Sequence, residues 1–315
     1  MTEATPPVLI LTGPTGSGKS DWAMRLSRQW PVEIISVDSA QVYRGMDVGT
    51  AKPDQATRAA VAHHLLDILD PAQTYSAGQF AQDAVALISQ IRARRHIPLL
   101  VGGTMLYLRA LRQGMAQLPR ASQRHRQSID AAAAEQGWPA LHAQLARLDP
   151  QAAGRIHPND AQRIQRALEV CRLTGQTLSA LQAHSPAALQ EPAPIWALVP
   201  QSRALLHERI AIRFNQMMAQ GFLEEVRALH GRGDLSADHA SMRAVGYRQL
   251  WQYCNGHSTL AEAIEKSVAA TRQLAKRQLT WLRGDDSIRV VDPLAPGAFE
   301  SWSLEVGVAL SAFIR

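Results

Sequence analysis

Cysteine is nearly absent from this chain: its 315 residues include two, Cys171 and Cys254, without a Cys-x-x-Cys spacing. A disulfide framework is therefore not expected, and both thiols read as small apolar residues for the interior. Long apolar runs are missing as well. The longest are strand-sized and broken by charge, well short of the roughly 20 residues that cross a bilayer, so no membrane association is expected. Only twelve residues precede Gly13, and several already belong to a core strand. That leaves no room for a cleavable secretory signal and implies a cytoplasmic protein. Lysine is scarce, four of the 33 basic residues, and repeats and low-complexity tracts are absent. A formal charge of +6 favours a polyanionic partner. There is nevertheless no basic tail, because basic residues exceed acidic ones by two in each of the stretches 1–112, 113–195 and 196–315. The pair His63-His64 invites a metal reading, but adjacent side chains diverge and no third ligand stands at a suitable spacing.

Against these absences stands one complete motif. Gly13-Pro14-Thr15-Gly16-Ser17-Gly18-Lys19-Ser20 follows the apolar run 8–11 and precedes a helical pattern, the setting of a phosphate-binding loop. Glycines let successive N–H groups converge on phosphate oxygens, and the following helix adds the positive end of its dipole. Lys19 supplies a point charge and the Ser20 hydroxyl suits Mg2+. The loop predicts a bound diphosphate without saying which ester bond breaks.

Strand-length apolar runs recur at 8–11, 32–37, 65–69, 97–101, 195–199 and 288–291, separated mostly by helical patterns. This alternation predicts an α/β fold, a phosphate-loop NTPase-like core with a mostly parallel sheet covered on both faces. Ser76 is read as the cap of a helix reaching Arg95, and Ser202 as the start of another that ends near Gly221. Thr259-x-x-Glu262 is a capping box for the helix carrying Arg272 to Arg283. Between Gln113 and Pro194 the strand signals vanish. Residues 113–194 are thus expected to form an all-helical insertion in a core made of 1–112 and 195–315, with a single continuous domain bearing extra surface helices as the alternative.

Further segments carry a specific likeness: Asp38-Ser39-Ala40-Gln41-Val42-Tyr43, His63 to Ile68, Gly102-Gly103-Thr104 with Tyr107, Asp160 to Val170, Arg243 to Arg248, and Thr271 to Arg283. With these in order behind the phosphate loop, the chain resembles the bacterial tRNA dimethylallyltransferases over nearly its whole length. The resemblance implies transfer of a dimethylallyl group from dimethylallyl diphosphate to the exocyclic amine of the adenosine 3′-adjacent to the anticodon in tRNA. It implies Mg2+ as the cofactor and a monomer that requires no protein partner. It also implies that Asp38, Ser39, Ala40 and Gln41 grip a flipped-out adenine, with Thr104 beside it in the reaction tunnel. RNA contacts are implied at Gln162, Arg163, Ile164, Gln165 and Arg166, at Arg243, Ala244, Val245, Gly246, Tyr247 and Arg248, and at Arg126. Tyr247 is open to two readings, a stacking platform for a base or a core residue.

The residues divide such a reaction between them. Leaving-group oxygens need neutralising and the attacking amine must lose a proton. The loop residues Gly13 to Ser20 suit the first need. Asp38, ending the run 32–37 at the carboxyl edge of a parallel sheet, suits the second, although an aspartate there can also cap a loop. Lys19 and Thr104 complete the expected catalytic set. A small-molecule kinase of the phosphate-loop class is the rival enzyme, but the run 97–101 ends in Gly102-Gly103-Thr104 where such a kinase carries a metal-holding aspartate. For a non-catalytic RNA-binding regulator the complete loop would be surplus. The basic stripe Arg272, Lys276, Arg277 and Arg283, with Trp281 among them, could face the diphosphate, RNA phosphates or solvent.

Overall fold

The computed structural model describes residues 5–116, 118–119, 121–183 and 186–314. Along the chain run β1 (Leu9–Thr12), α1 (Lys19–Ser27), β2 (Val32–Val37), α2 (Gln55–Ala60), β3 (His63–His64), α3 (Ala77–Ala93), β4 (Ile97–Gly102) and α4 (Met105–Gln113). Five helices follow, α5 (Gln123–Gln136), α6 (Trp138–Leu148), α7 (Pro150–Ala153), α8 (Ala161–Thr174) and α9 (Leu178–Ala183). The chain then forms β5 (Ile195–Leu198), α10 (Arg203–Ala219), α11 (Phe222–His230), α12 (Tyr247–Cys254), α13 (Leu260–Arg283), β6 (Arg289–Val291) and α14 (Ala298–Ile314).

The strands make one sheet in the order β3-β2-β4-β1-β5-β6, with every pairing among the described residues parallel. β1, β2, β4 and β5 are buried along their whole length, which is why they read as continuous apolar runs rather than alternating ones. One face packs Trp22, Leu26, Phe299 and Trp302 of α1 and α14 against Leu9, Leu11 and Leu99. A second core gathers Phe214, Phe222, Tyr247 and Trp251 from α10 to α12 around Val42, Tyr43 and Met46. The caps lie where the sequence indicates: Ser76 and Gln79 close a reciprocal box on α3, Ser202 caps α10, and Thr259 with Glu262 opens α13.

The run 65–69 departs from expectation. Only His63–His64 joins the sheet, pairing with Ile34 and Ile35, after which Leu65 and Asp67 take positive φ (62° and 56°). Asp67 explains the turn. Its carboxylate receives Lys52 Nζ and Arg58 Nη1, each at 2.6 Å, so the run folds over a buried lysine instead of extending.

Two compact units result, Met1–Leu108 with Leu189–Arg315, and Arg109–Ala188. Residues 189–194 thus go with the sheet unit and not with the insertion; Pro194 O accepts from Ile10 N at 3.0 Å, and Glu191 takes a bidentate pair from Arg92. The helical unit has its own core of Ile129, Leu141, Leu145, Ile164 and Leu168.

Candidate active site

Three strand ends stand level. Gly102 at the end of β4 is in register with Thr12 of β1 and with Val37 of β2, so the loop 13–20, the turn 38–41 and the segment 103–104 leave the sheet side by side. The approach is close: a Cβ on Gly102 would lie 2.2 Å from Val37 O, so no larger residue fits. Between them opens a cleft of about 550 Å3 lined by Thr15, Lys19, Ser20, Asp38, Gln41 and Thr104. From α10 and the α12 entry Ile210, Arg213, Phe214, Arg243 and Val245 add an apolar wall with two guanidinium groups.

The loop is prepared for an anion. Thr15 N–H donates to Gln278 Oε1 and Ser17 N–H to Pro14 O, whereas the N–H groups of Gly16, Gly18, Lys19 and Ser20 meet no protein acceptor among the described residues. Such groups at a helix start attract negative charge. Ser17 Oγ is buried without a partner among the described residues. Lys19 Nζ folds back onto Pro14 O at 2.9 Å. Burial, reinforced by Arg213 and opposed by Asp38, brings the Lys19 pKa down to about 7. Burial likewise lowers the Arg213 pKa, with Asp38 pulling it back up, and its Nη1 lies 3.5 Å from Thr15 Oγ1. Arg209 Nε donates to Gly16 O at 3.0 Å.

Asp38 does both things the sequence allows. Its Oδ1 accepts from Ala40 N at 2.8 Å and Gln41 N at 3.4 Å, capping the turn, while no protein donor among the described residues reaches Oδ2. Thr104 Oγ1 accepts from Ser39 N at 3.1 Å, which fixes that turn against β4. Gln41 is internally engaged: Oε1 accepts from Ser36 Oγ and Nε2 donates to Thr50 O at 3.2 Å.

Around residues 243–248 the candidates separate. Arg243, Ala244 and Val245 line the cleft and Arg248 is exposed. Tyr247 is a core residue; its ring is fully buried edge-on to Phe222, and its hydroxyl donates to Glu225, so it offers no stacking platform. Gly246 is buried too. Glu225 also accepts from Asp47 N and Val48 N (2.7 Å each) and from Gly49 N (3.1 Å).

In the helical unit, Asp160 caps α8 through Arg163 N, and the RNA candidates again fall into kinds. Ile164 is fully buried in the unit's core and cannot touch a ligand. Gln165 Nε2 donates to Asp130 at 2.6 Å. Arg126 and Arg166 converge on the buried carboxylate of Glu169, at 3.1 and 2.7 Å, with Ser122 N as a third donor. Arg163 remains on the surface, its side chain 70% exposed and 3.3 Å from Asp160. Gln162 is also exposed.

The IPP transferase family matches residues 41–285. The chain belongs to that family. The tRNA dimethylallyltransferase of Cupriavidus necator is 56% identical over 298 residues, covering 93% of this chain and 92% of that protein. The enzyme of the same name from Ralstonia nicotianae is 57% identical over 298 residues, 92% of each. Among solved structures, the full-length tRNA isopentenylpyrophosphate transferase of Bacillus halodurans superposes with a TM-score of 0.70 at 35% identity, covering 98% of this chain and 96% of that one. In this IPP transferase, sequence reasoning missed Arg209, Arg213 and Gln278. They meet the loop from α10 and α13, about 200 residues or more away along the chain, where no local pattern marks them. Trp281 and Arg277 of the basic stripe line the cleft.

Proposed function

We propose that this chain transfers a dimethylallyl group from dimethylallyl diphosphate to the exocyclic amine of the adenosine 3′-adjacent to the anticodon in tRNA. The observation that carries the reading is the level ending of β1, β2 and β4, which sets a phosphate loop with unpartnered N–H groups beside a carboxylate with one oxygen unengaged. The names of the curated relatives support the same reaction. They do not support the kinase reading, and β4 ends in glycine instead of an aspartate.

The diphosphate fits the loop: four N–H groups, the orphan Ser17 hydroxyl, Lys19 and Arg213 all favour negative charge there. Among the described residues no group of three or more His, Cys, Asp and Glu side chains could hold a metal ion by itself. Mg2+ would therefore be held by the Ser20 hydroxyl together with the diphosphate's own oxygens, where it would neutralise developing charge. Lys19 and Arg213 stabilise the leaving oxygens, while the apolar wall of Ile210 and Phe214 receives the prenyl chain and keeps water from it. Asp38, held by Ala40 N through Oδ1, accepts the amine proton at Oδ2. Thr104 and Ser39 fix the adenine's edge. Arg163, Arg243 and Arg248 supply phosphate or base contacts, with Arg126 and Arg166 held in place by Glu169. The enzyme acts as a monomer in the cytoplasm; no helix among the described residues is long and apolar enough to cross a membrane.

The test is nucleoside mass analysis of unmodified tRNA treated with the purified chain, dimethylallyl diphosphate and Mg2+. A prenylated adenosine next to the anticodon and no turnover of ATP is the expected result; rapid ATP turnover with unmodified adenosine would overturn it.

A further inference from the structure

Gln278 stands apart from the other polar residues of α13. It is 7% exposed, and both ends of its amide are bonded to segments remote in sequence: Oε1 accepts from Thr15 N at 2.9 Å and Nε2 donates to Gly103 O at 2.8 Å. Thr15 belongs to the loop that receives the diphosphate. Gly103 precedes Thr104, whose Oγ1 holds Ser39 N and with it the Asp38 turn. The amide is thus a strut between the donor side of the cleft and the acceptor side. A neutral amide accepts at one end and donates at the other; a carboxylate would oppose Gly103 O, an amine would oppose Thr15 N–H, and a leucine would leave both half-buried groups without this partner. The fit is tight from the other side too, because a Cβ on Gly103 would lie 2.4 Å from Nε2. The same Cβ would lie 3.0 Å from Gly13 O, so Gly103 is hemmed in by the Gln278 amide and the loop backbone together.

We propose that Gln278 is a positioning residue for the reaction: it sets the separation between the phosphate loop and the Thr104–Asp38 side, and so the distance between the prenyl C1 and the adenine amine. The role rests on the prenyl transfer argued above. It predicts a particular kinetic signature, since a strut between two subsites governs the step that uses both and not the filling of either. A misplacement of about 1 Å between reacting groups costs about 10²-fold in rate.

The experiment compares wild type, Gln278→Met, Gly103→Ala and the double variant on dimethylallyl diphosphate and an anticodon stem-loop. Single-turnover rate at saturation, the dissociation constant of each substrate alone and the thermal midpoint are measured for each. Each single variant is expected to lose about 10²-fold in rate, with each dissociation constant changed less than about 3-fold. The double variant is expected to lose no more than the worse single one, because residues acting through one contact are not additive. Gln278→Glu keeps the bond from Thr15 N and removes the donation to Gly103 O, and serves the same cycle where the methionine variant folds poorly. Multiplying losses, or a loss confined to the affinity of one substrate, overturns the role. A wild type that forms no prenylated adenosine overturns the reaction and the role with it, whereas equal rates in wild type and Gln278→Met overturn the role alone.

Discussion

The sheet unit and the helical unit handle charge in opposite ways. In the cleft of the sheet unit, among the described residues, Lys19 and Arg213 meet no carboxylate within ion-pair distance, and one oxygen of Asp38 and four loop N–H groups meet no protein partner. In the helical unit two partly buried arginines, Arg126 and Arg166, have closed on Glu169. A site for chemistry keeps its charges uncompensated until the ligand arrives, at a cost in stability, whereas the helical unit satisfies its buried acid internally.

Substitution of the acids separates the two regimes. Asp38→Asn keeps the turn's shape and should cost roughly 10²–10⁴-fold in single-turnover rate, the usual worth of a general base, with little change in unfolding midpoint. Near-normal turnover would make Asp38 a cap only and erase the contrast. Glu169→Ala should do the reverse, destabilising the helical unit by about 1–3 kcal/mol in denaturant unfolding because Ser122 N–H and two partly buried arginines lose their common acceptor. Burial pushes the Glu169 carboxyl up, but Arg166, Ser122 N and Arg126 outweigh it and hold its pKa below the ordinary value. The stability it contributes is present above the ordinary carboxylate range and is lost as pH falls through the lowered value. A variant as stable at pH 7 as the wild type would show that the arginines are not organised by this acid.

Lys19 offers a subtler test. Its pKa of about 7 in the open site should rise when a diphosphate enters, since the anion favours the charged amine. At pH 8 binding of dimethylallyl diphosphate should take up close to one proton, and at pH 6 almost none, because the amine is then charged in both states. Calorimetric titration in two buffers of different ionisation enthalpy reads this directly, and Lys19→Met should abolish it. Uptake that is unchanged between the two pH values would place the titrating group elsewhere.

The smallest effect belongs to the surface arginines. Arg163→Ala and Arg248→Ala should each lower the slope of log affinity against log salt by about 0.7–0.9 for an anticodon stem-loop, if each neutralises one phosphate, with turnover at saturating RNA retained. Unchanged affinity at both would shift the RNA path to Arg277 and its neighbours on α13.

Elements fixed by local chemistry were legible before any coordinates. The run 32–37 is β2 to the residue, and the caps at Ser76, Ser202 and Thr259 start their helices, because burial on both faces and side-chain capping leave marks within a few residues. The run 65–69 misled because Asp67 within it turns back to Lys52, whose 0% exposed side chain bonds both Asp47 and Asp67, a long-range pairing that no local pattern marks. Motif matching overreached at Ile164, which shares a segment with surface arginines but is fully buried, while Tyr247 takes the core reading of the two the sequence left open. Arg213 and Gln278 reach the loop only through the tertiary fold, so nothing near them in sequence announces a diphosphate.

Glu225 has a consequence for motion. Its carboxylate receives three consecutive loop amides, those of Asp47, Val48 and Gly49, and the Tyr247 hydroxyl besides. Those amides belong to no helix or strand, yet all three are bonded to one carboxylate. They should therefore exchange with deuterated solvent more slowly than the amides of an ordinary loop, and in step with one another. Tyr247→Phe should speed all three to a similar degree, since the Tyr247 hydroxyl shares the carboxylate that holds them.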